Sequence, residues 1–201
     1  MKKRIEILAK YLPEAAVDRV DELLDIHHFQ LIIVSKRKTK HGDFRRLSNG
    51  DYQITINNDL NKYRFLITLI HEMAHLVTFK DMPRSKPHGK EWKINFQRLM
   101  LPFLHPEIYP EDILVNLASY LKNPKARTDS DIQLSLSLKN RDDSKEGSFN
   151  YEIPTHATFY YKNIAYQKGN KRRTRFECIE LNSKKKYLFH HNALVTFEET
   201  Q

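Results

Sequence analysis

Apolar residues recur at three- to four-residue spacing through positions 4–26: Ile5, Leu8 and Leu12, then Val17, Val20 and Leu24 beyond Pro13. That period predicts one or two amphipathic helices, broken at the proline. The pattern then changes. Residues 29–34 form an apolar, β-branched run, and Tyr52, Ile54 and Ile56 alternate with polar positions, which predicts strands. Turn signals at His41-Gly42-Asp43 and Asn49-Gly50-Asp51 separate them, so a small antiparallel sheet is expected. Asn57-Asn58-Asp59 starts a helix expected from about Leu60 to Phe79. Within it, residues 65–70 are apolar on nearly every side, so this helix should be buried.

A loop containing Pro83 and Pro87 follows. A helix beginning near Gly89 should then present Trp92, Phe96, Leu99 and Met100 on one face, up to Pro102. Pro110 fits the first turn of another helix, with Ile113, Leu114, Leu117 and Leu121 inward and Asn123-Pro124 at its end. Residues 125–150 are polar. Positions 142–147 are the best linker, and the alternation of Leu134, Leu136 and Leu138 suggests a strand interrupting the segment. Past residue 157 the pairs Phe159/Tyr161, Phe176/Cys178 and Tyr187/Phe189 predict short strands, with a turn at Lys168-Gly169-Asn170. The expected organisation is α+β: a domain over 1–126 of helices and a small sheet, a partly extended linker over 127–156, and a small all-β module over 157–201.

Composition narrows the function classes. The chain has 201 residues, enough for one domain with an appendage. Five glycines argue against a glycine-rich nucleotide loop, and one cysteine, Cys178, excludes an internal disulfide framework. The longest apolar runs are far too short to span a bilayer, and no apolar leader follows the basic N-terminus, so a cytoplasmic protein with no membrane partner is expected. The formal net charge is +9, and its distribution is uneven. Between His156 and His191 nine Lys and Arg face two acids, leaving about +2 for the rest of the chain. Lys171, Arg172, Arg173, Arg175, Lys184, Lys185 and Lys186, with Tyr160, Tyr161, Tyr166 and Tyr187 nearby, are candidate contacts for the phosphates and bases of DNA or RNA. A solvated basic face, or a dock for acidic partner proteins, is the competing reading.

The chemistry concentrates in His71-Glu72-Met73-Ala74-His75. Histidines four apart on a helix lie about 40° apart around the axis, so both imidazoles can reach one metal ion. Glu72 lies about 100° from His71, where it can act as general base on a water rather than as a ligand. A buried apolar helix rarely carries such polar groups unless they are used. A catalytic zinc needs a third protein ligand and an open fourth position. His88, opening the next helix after a proline-stiffened loop, is the favoured third ligand. His105 and His41 compete with it, and His27 and His28 fit a helix end.

His-Glu-Met-Ala-His followed by His88-Gly89-Lys90-Glu91-Trp92 resembles the SprT-like metallopeptidases, which include the Spartan proteases. The upstream strand, glycine turn and strand ending Ile54-Thr55-Ile56-Asn57 also match, so the likeness covers about residues 1–122. The resemblance implies a minimal zincin-like core, zinc held by His71, His75 and His88, and Glu72 as general base of a peptidase acting on protein or peptide. Spartan-type members cleave proteins crosslinked to DNA. The alternative is a nucleic-acid-binding protein on a peptidase-like fold. The chain departs from the pattern where many relatives carry a zinc ribbon of paired cysteines. Cys178 stands alone there, either packed on a strand face or in a mixed site with His156, His190 or His191. The sequence leaves the substrate and the oligomeric state open.

Overall fold

The computed structural model describes residues 2–142 and 147–197. It divides into two units, Met1–Asp142 and Asp143–Gln201. The best linker positions, Asp143, Ser144, Lys145 and Glu146, lie outside the described residues.

In the first unit, α1 (Lys2–Tyr11) and α2 (Val17–His27) flank a 3-10 turn after Pro13. His28 ends α2 in the left-handed region (φ 47°), its N–H bonded to Leu24 O. β1 (Gln30–Val34), β2 (Gly42–Arg46) and β3 (Tyr52–Asn57) form a sheet of order β1-β3-β2. β2 pairs antiparallel with β3, as expected, whereas β1 pairs parallel with it. The physical reason is burial. Ile54 and Ile56 are both 0% exposed, so β3 takes the centre, and the long connection from β1 returns by way of β2 at one edge.

α3 (Lys62–Asp81) starts one to two residues later than its apolar pattern predicts, because the Asn61 side chain accepts the Arg64 N–H at 2.9 Å. It is buried along most of its length, with Phe65, Leu66, Leu69, Ile70, Met73 and Ala74 in the core. α4 (Lys90–Met100) lays Trp92 and Phe96 against it. α5 (Glu111–Leu121) follows, Pro110 standing just outside its first turn.

Residues 127–142 are not a linker. A 3-10 turn at Thr128–Ser130 leads into α6 (Ile132–Lys139), where a strand was expected. Leu134 and Leu138 are fully buried one helical turn apart, and the small Ser135 and Ser137 between them are buried as well. The alternation of Leu with Ser therefore marks a helix tucked into the core, capped by Asp131, whose side chain accepts the Leu134 N–H.

The second unit starts before residue 157. β4 (Ser148–Phe149) pairs with β9 (Leu194–Val195), and β5 (Thr158–Tyr161), β6 (Ile164–Arg172), β7 (Arg175–Glu180) and β8 (Lys186–His190) form an antiparallel sheet in that order. Ile153, Phe159, Tyr166, Phe176, Cys178 and Val195 make its core. Lys162 and Asn163 both have positive φ, the geometry of a tight two-residue hairpin. Lys168-Gly169-Asn170 is not the expected turn. It is a bulge inside β6, with the turn at Arg173-Thr174 instead. Gly169 is required there, because a Cβ would come within 2.5 Å of Glu177 O. Among the described residues no helix is long and apolar enough to cross a membrane.

Candidate metal centre

α3 puts His71 and His75 one turn apart on one face, and the loop 82–89 swings His88 onto them. His88 stands in the left-handed region at φ 56°, and Gly89 follows with its N–H on Lys86 O at 2.8 Å. A Cβ on Gly89 would sit 2.8 Å from that same oxygen, so the turn that aims His88 needs glycine next to it. The three Nε2 atoms converge: His71 to His75 at 3.3 Å, His71 to His88 at 3.3 Å and His75 to His88 at 2.9 Å. Among the described residues this is the group of His, Cys, Asp and Glu able to hold a metal ion. The competing histidines are elsewhere engaged: His105 lies 3.7 Å from Glu107, and His41 bonds Asp129.

The donor set fits a zinc ion. Tetrahedral bonds of about 2.0–2.1 Å place ligand nitrogens about 3.3–3.4 Å apart, close to two of the three separations. Three imidazoles suit zinc and not magnesium or calcium, which take oxygen ligands. Burial, then the neighbouring histidines, push His71 down to about 3, and burial with His88 pushes His75 down to about 4. Burial also lowers His88. All three rings are therefore neutral near pH 7, the form that binds metal.

Trp92, which sequence periodicity assigns only to the core, supports this cluster directly. Its ring centroid lies 4.7 Å from His71, 5.4 Å from His75 and 4.7 Å from His88, and it stacks on Phe96 at 5.1 Å. It fixes the imidazole planes and keeps water off one side.

Glu72 is buried on α3 beside the cluster. Burial, and then Asp43, push its carboxyl up to about 7, while the Phe44 backbone hydrogen bond works the other way. β2 runs directly over it. A Cβ on Gly42 would come within 2.8 Å of both Glu72 Cγ and Oε1, and within 2.7 Å of Thr68 Cγ2. Gly42, expected as a turn residue, is the opening through which the strand can approach the carboxylate.

The cluster lies at a cleft of about 660 Å³ that Lys38, His41, Asp43, Arg127 and Asp129 also line. Asp129 ties three segments together. It receives Arg64 Nη1 at 2.5 Å and Ser135 Oγ at 3.1 Å on one oxygen, and meets His41 Nε2 at 3.0 Å on the other. Burial works to raise its carboxyl, but His41 and Arg64 outweigh it and hold Asp129 well below the usual carboxylate range.

Residues 26–109 match the SprT-like family. The match carries the sheet, α3 with its histidine pair, the loop bearing His88, and α4 with Trp92. No curated protein and no solved structure matches the chain. The SprT-like segment stops short of Asp129, so the turn and helix that brace one wall of the cleft lie outside it.

In the second unit the expected basic group is only partly available. Arg172 and Lys186 both bond Glu177, each at 2.9 Å. Lys168 is buried, its Nζ on Ile153 O at 2.5 Å and 4.0 Å above the Phe176 ring. Lys171, Arg173, Arg175, Lys184 and Lys185 have no acidic partner among the described residues. Cys178 is buried in the small core, with Lys168 directly across the ladder.

Proposed function

We propose that this chain is a zinc-dependent peptidase of the SprT-like type, with His71, His75 and His88 as the zinc ligands and Glu72 as the general base. The observation that carries the reading is the convergence of three neutral imidazole nitrogens within 3.3 Å of one another, beside a buried carboxylate, in an accessible cleft. Bound zinc would supply Lewis acidity toward a scissile carbonyl and lower the pKa of the attacking water. Glu72 takes the proton from that water and returns it to the leaving amine. Gly42 and the Phe44 N–H set where the carboxylate points, and Trp92 holds the ligand rings. β2 is an edge strand lining the cleft; Glu72 occupies its Phe44 N–H, and an extended peptide would pair with the remaining edge. The linkage of SprT-like proteins to zincin-type metallopeptidases supports the same reading.

The test pairs metal analysis of the purified chain with cleavage of an unstructured protein substrate by the wild type and by Glu72→Gln. One zinc per chain in both, with hydrolysis only in the wild type, is the expected result. Equal hydrolysis by Glu72→Gln would remove the assignment of the base.

A second reading concerns the other unit. Lys171, Arg173, Arg175, Lys184 and Lys185, with Tyr160 and Tyr187 exposed on the same small unit, support binding of DNA or RNA, which would direct hydrolysis to nucleic-acid-associated proteins. Titration of labelled oligonucleotides at two salt concentrations tests it. No binding at low salt would leave the module without this role.

A further inference from the structure

The basic stretch between His156 and His191 is matched by a second concentration of positive charge, around the zinc-site cleft. Segments 36–46, 84–93 and 122–129 carry thirteen Lys and Arg against three Asp and Glu. The rest of the first unit carries eleven against fifteen, many of the acids on α2 and at the start of α5. The three segments carry +10 and the remainder −4, and each of the three contributes cations to the cavities that His88 lines. The cleft is lined by Arg37, Lys38 and Arg127, and a second cavity, lined by Lys90, Lys93 and Lys122, adjoins it. His88 lines both, so positive charge stands on either side of the third metal ligand.

Lys36 pairs with Asp59 at 3.1 Å, but most of the cations that line the two cavities are not neutralised internally. Apart from Glu72, the acids lining the cleft are taken up by other groups: Asp43 pairs with Lys40 at 2.9 Å, and Asp129 with Arg64 and His41. The Arg37 guanidinium bonds only neutral acceptors, among them Asn57 Oδ1 and Thr55 Oγ1, and Lys93 bonds Asn123 Oδ1 at 2.7 Å. Lys38, Arg127, Lys90 and Lys122 are exposed and have no acidic partner among the described residues.

We infer that the cleft selects acidic polypeptide segments, with Asp or Glu side chains on both sides of the bond to be cut. The inference rests on the peptidase reading for the cut itself, and on the charge distribution for the selectivity. A nucleic-acid strand is the other polyanion to weigh. Unpaired bases need exposed aromatic faces to stack on. Among the residues lining the two cavities only Phe44 is a Phe, Tyr or Trp, and its ring is engaged with Tyr52 and Phe79. The cleft offers instead the edge strand β2, a type of element that pairs with a peptide backbone. The charge on its rim then discriminates by side chain and speeds encounter.

The experiment uses the zinc-loaded full-length chain and three quenched fluorogenic peptides with the same central residues and Glu, Gln or Lys at the flanking positions. The kcat/KM for the Glu peptide should exceed that for Gln by about tenfold at low salt, with Lys lower still and the differences shrinking as salt rises. Lys38→Glu with Arg127→Glu, both at exposed positions, should reduce cleavage of the Glu peptide about tenfold and improve cleavage of the Lys peptide, at unchanged zinc content. Lys90→Glu with Lys122→Glu should do the same for charges on one flank only. The same peptides, labelled and titrated into Glu72→Gln, separate binding from hydrolysis. Preferential binding of the Glu peptide without cleavage by any form would sustain the selectivity and sink the peptidase reading. Cleavage of all three peptides at equal rates would sink the selectivity and leave the peptidase intact. Displacement of the bound Glu peptide by oligothymidylate at lower concentration than by the peptide itself, abolished in Lys38→Glu/Arg127→Glu, would reassign the cleft to nucleic acid and overturn the proposal.

Discussion

The two units handle polar groups in opposite ways. The first draws His71, Glu72, His75, His88, Arg64 and Asp129 toward one cleft, most of them at least half-buried, with each atom's position fixed by a neighbour. The second buries Lys168 but spreads most of its Lys and Arg over exposed strand ends and turns, and pairs two of them with Glu177. Convergence under burial specifies chemistry, because a desolvated group without a task is costly. Exposed charge specifies only a sign of partner, since solvated lysines cost almost nothing to keep. One unit therefore supports a statement about atoms, and the other a statement about fields.

The sharpest way to break this contrast is within the convergent unit. Glu72→Gln should lower kcat by about 10²- to 10⁴-fold with zinc content and melting temperature nearly unchanged, the range for losing a positioned general base. His88→Ala should lose stoichiometric zinc in metal analysis while circular dichroism stays that of a folded chain, because the core around α3 does not depend on the loop. Gly42→Ala should come next. A methyl group within 2.8 Å of Glu72 Oε1 must push the carboxylate or the strand aside, and misplacement on the order of 1 Å can cost about 10²-fold in kcat. Zinc binding retained with activity lost would mark Gly42 as positioning the base. Wild-type kcat in Gly42→Ala would show that the strand yields.

In the dispersed unit effects should be smaller and additive. Replacing Lys171, Arg173 and Arg175 by Ala should reduce the slope of log affinity against log salt by about two to three for oligonucleotides. Replacing Arg172 and Lys186, already bonded to Glu177, should change it less. Equal effects from the two sets would show that only total charge matters. The smallest effect belongs to Asp129. Its folded-state carboxyl is held below the unfolded value, so its stabilisation is present above the unfolded pKa of about 3.9 and is lost as pH falls below it. Urea midpoints at pH 7 and pH 3 should therefore converge in Asp129→Asn, relative to the wild type.

What the sequence revealed follows the same division. The spacing His71–His75 on an apolar helix and the glycine after His88 leave few arrangements open, and the structure brings those side chains together. β1 pairing parallel was not legible, because the alternation of Tyr52, Ile54 and Ile56 says that a strand is half-buried without saying which neighbour lies beside it. Leu134, Leu136 and Leu138 misled because small serines can be buried in a helix as readily as leucines. Asp129 gave no signal at all. Its role arises only when residues far apart in the chain, His41 and Arg64, meet it in space. The basic cleft was masked for a related reason: summing charge along the chain averages α2 acids with cations that lie elsewhere on the surface.

The packing of Trp92 has an optical consequence. It is the single tryptophan of the chain, and its ring lies 4.7–5.4 Å from all three candidate ligand imidazoles. Indole emission, excited at the red edge where the tyrosines do not absorb, therefore comes from one place in the molecule, the wall of the candidate metal centre. Loading with a closed-shell ion should shift its intensity, and loading with a paramagnetic ion such as cobalt or copper should quench it. The unmodified protein thus carries its own dye for following occupancy in real time, and a chelator chase read in this light would time the departure of the ion without a substrate, a label or a second protein.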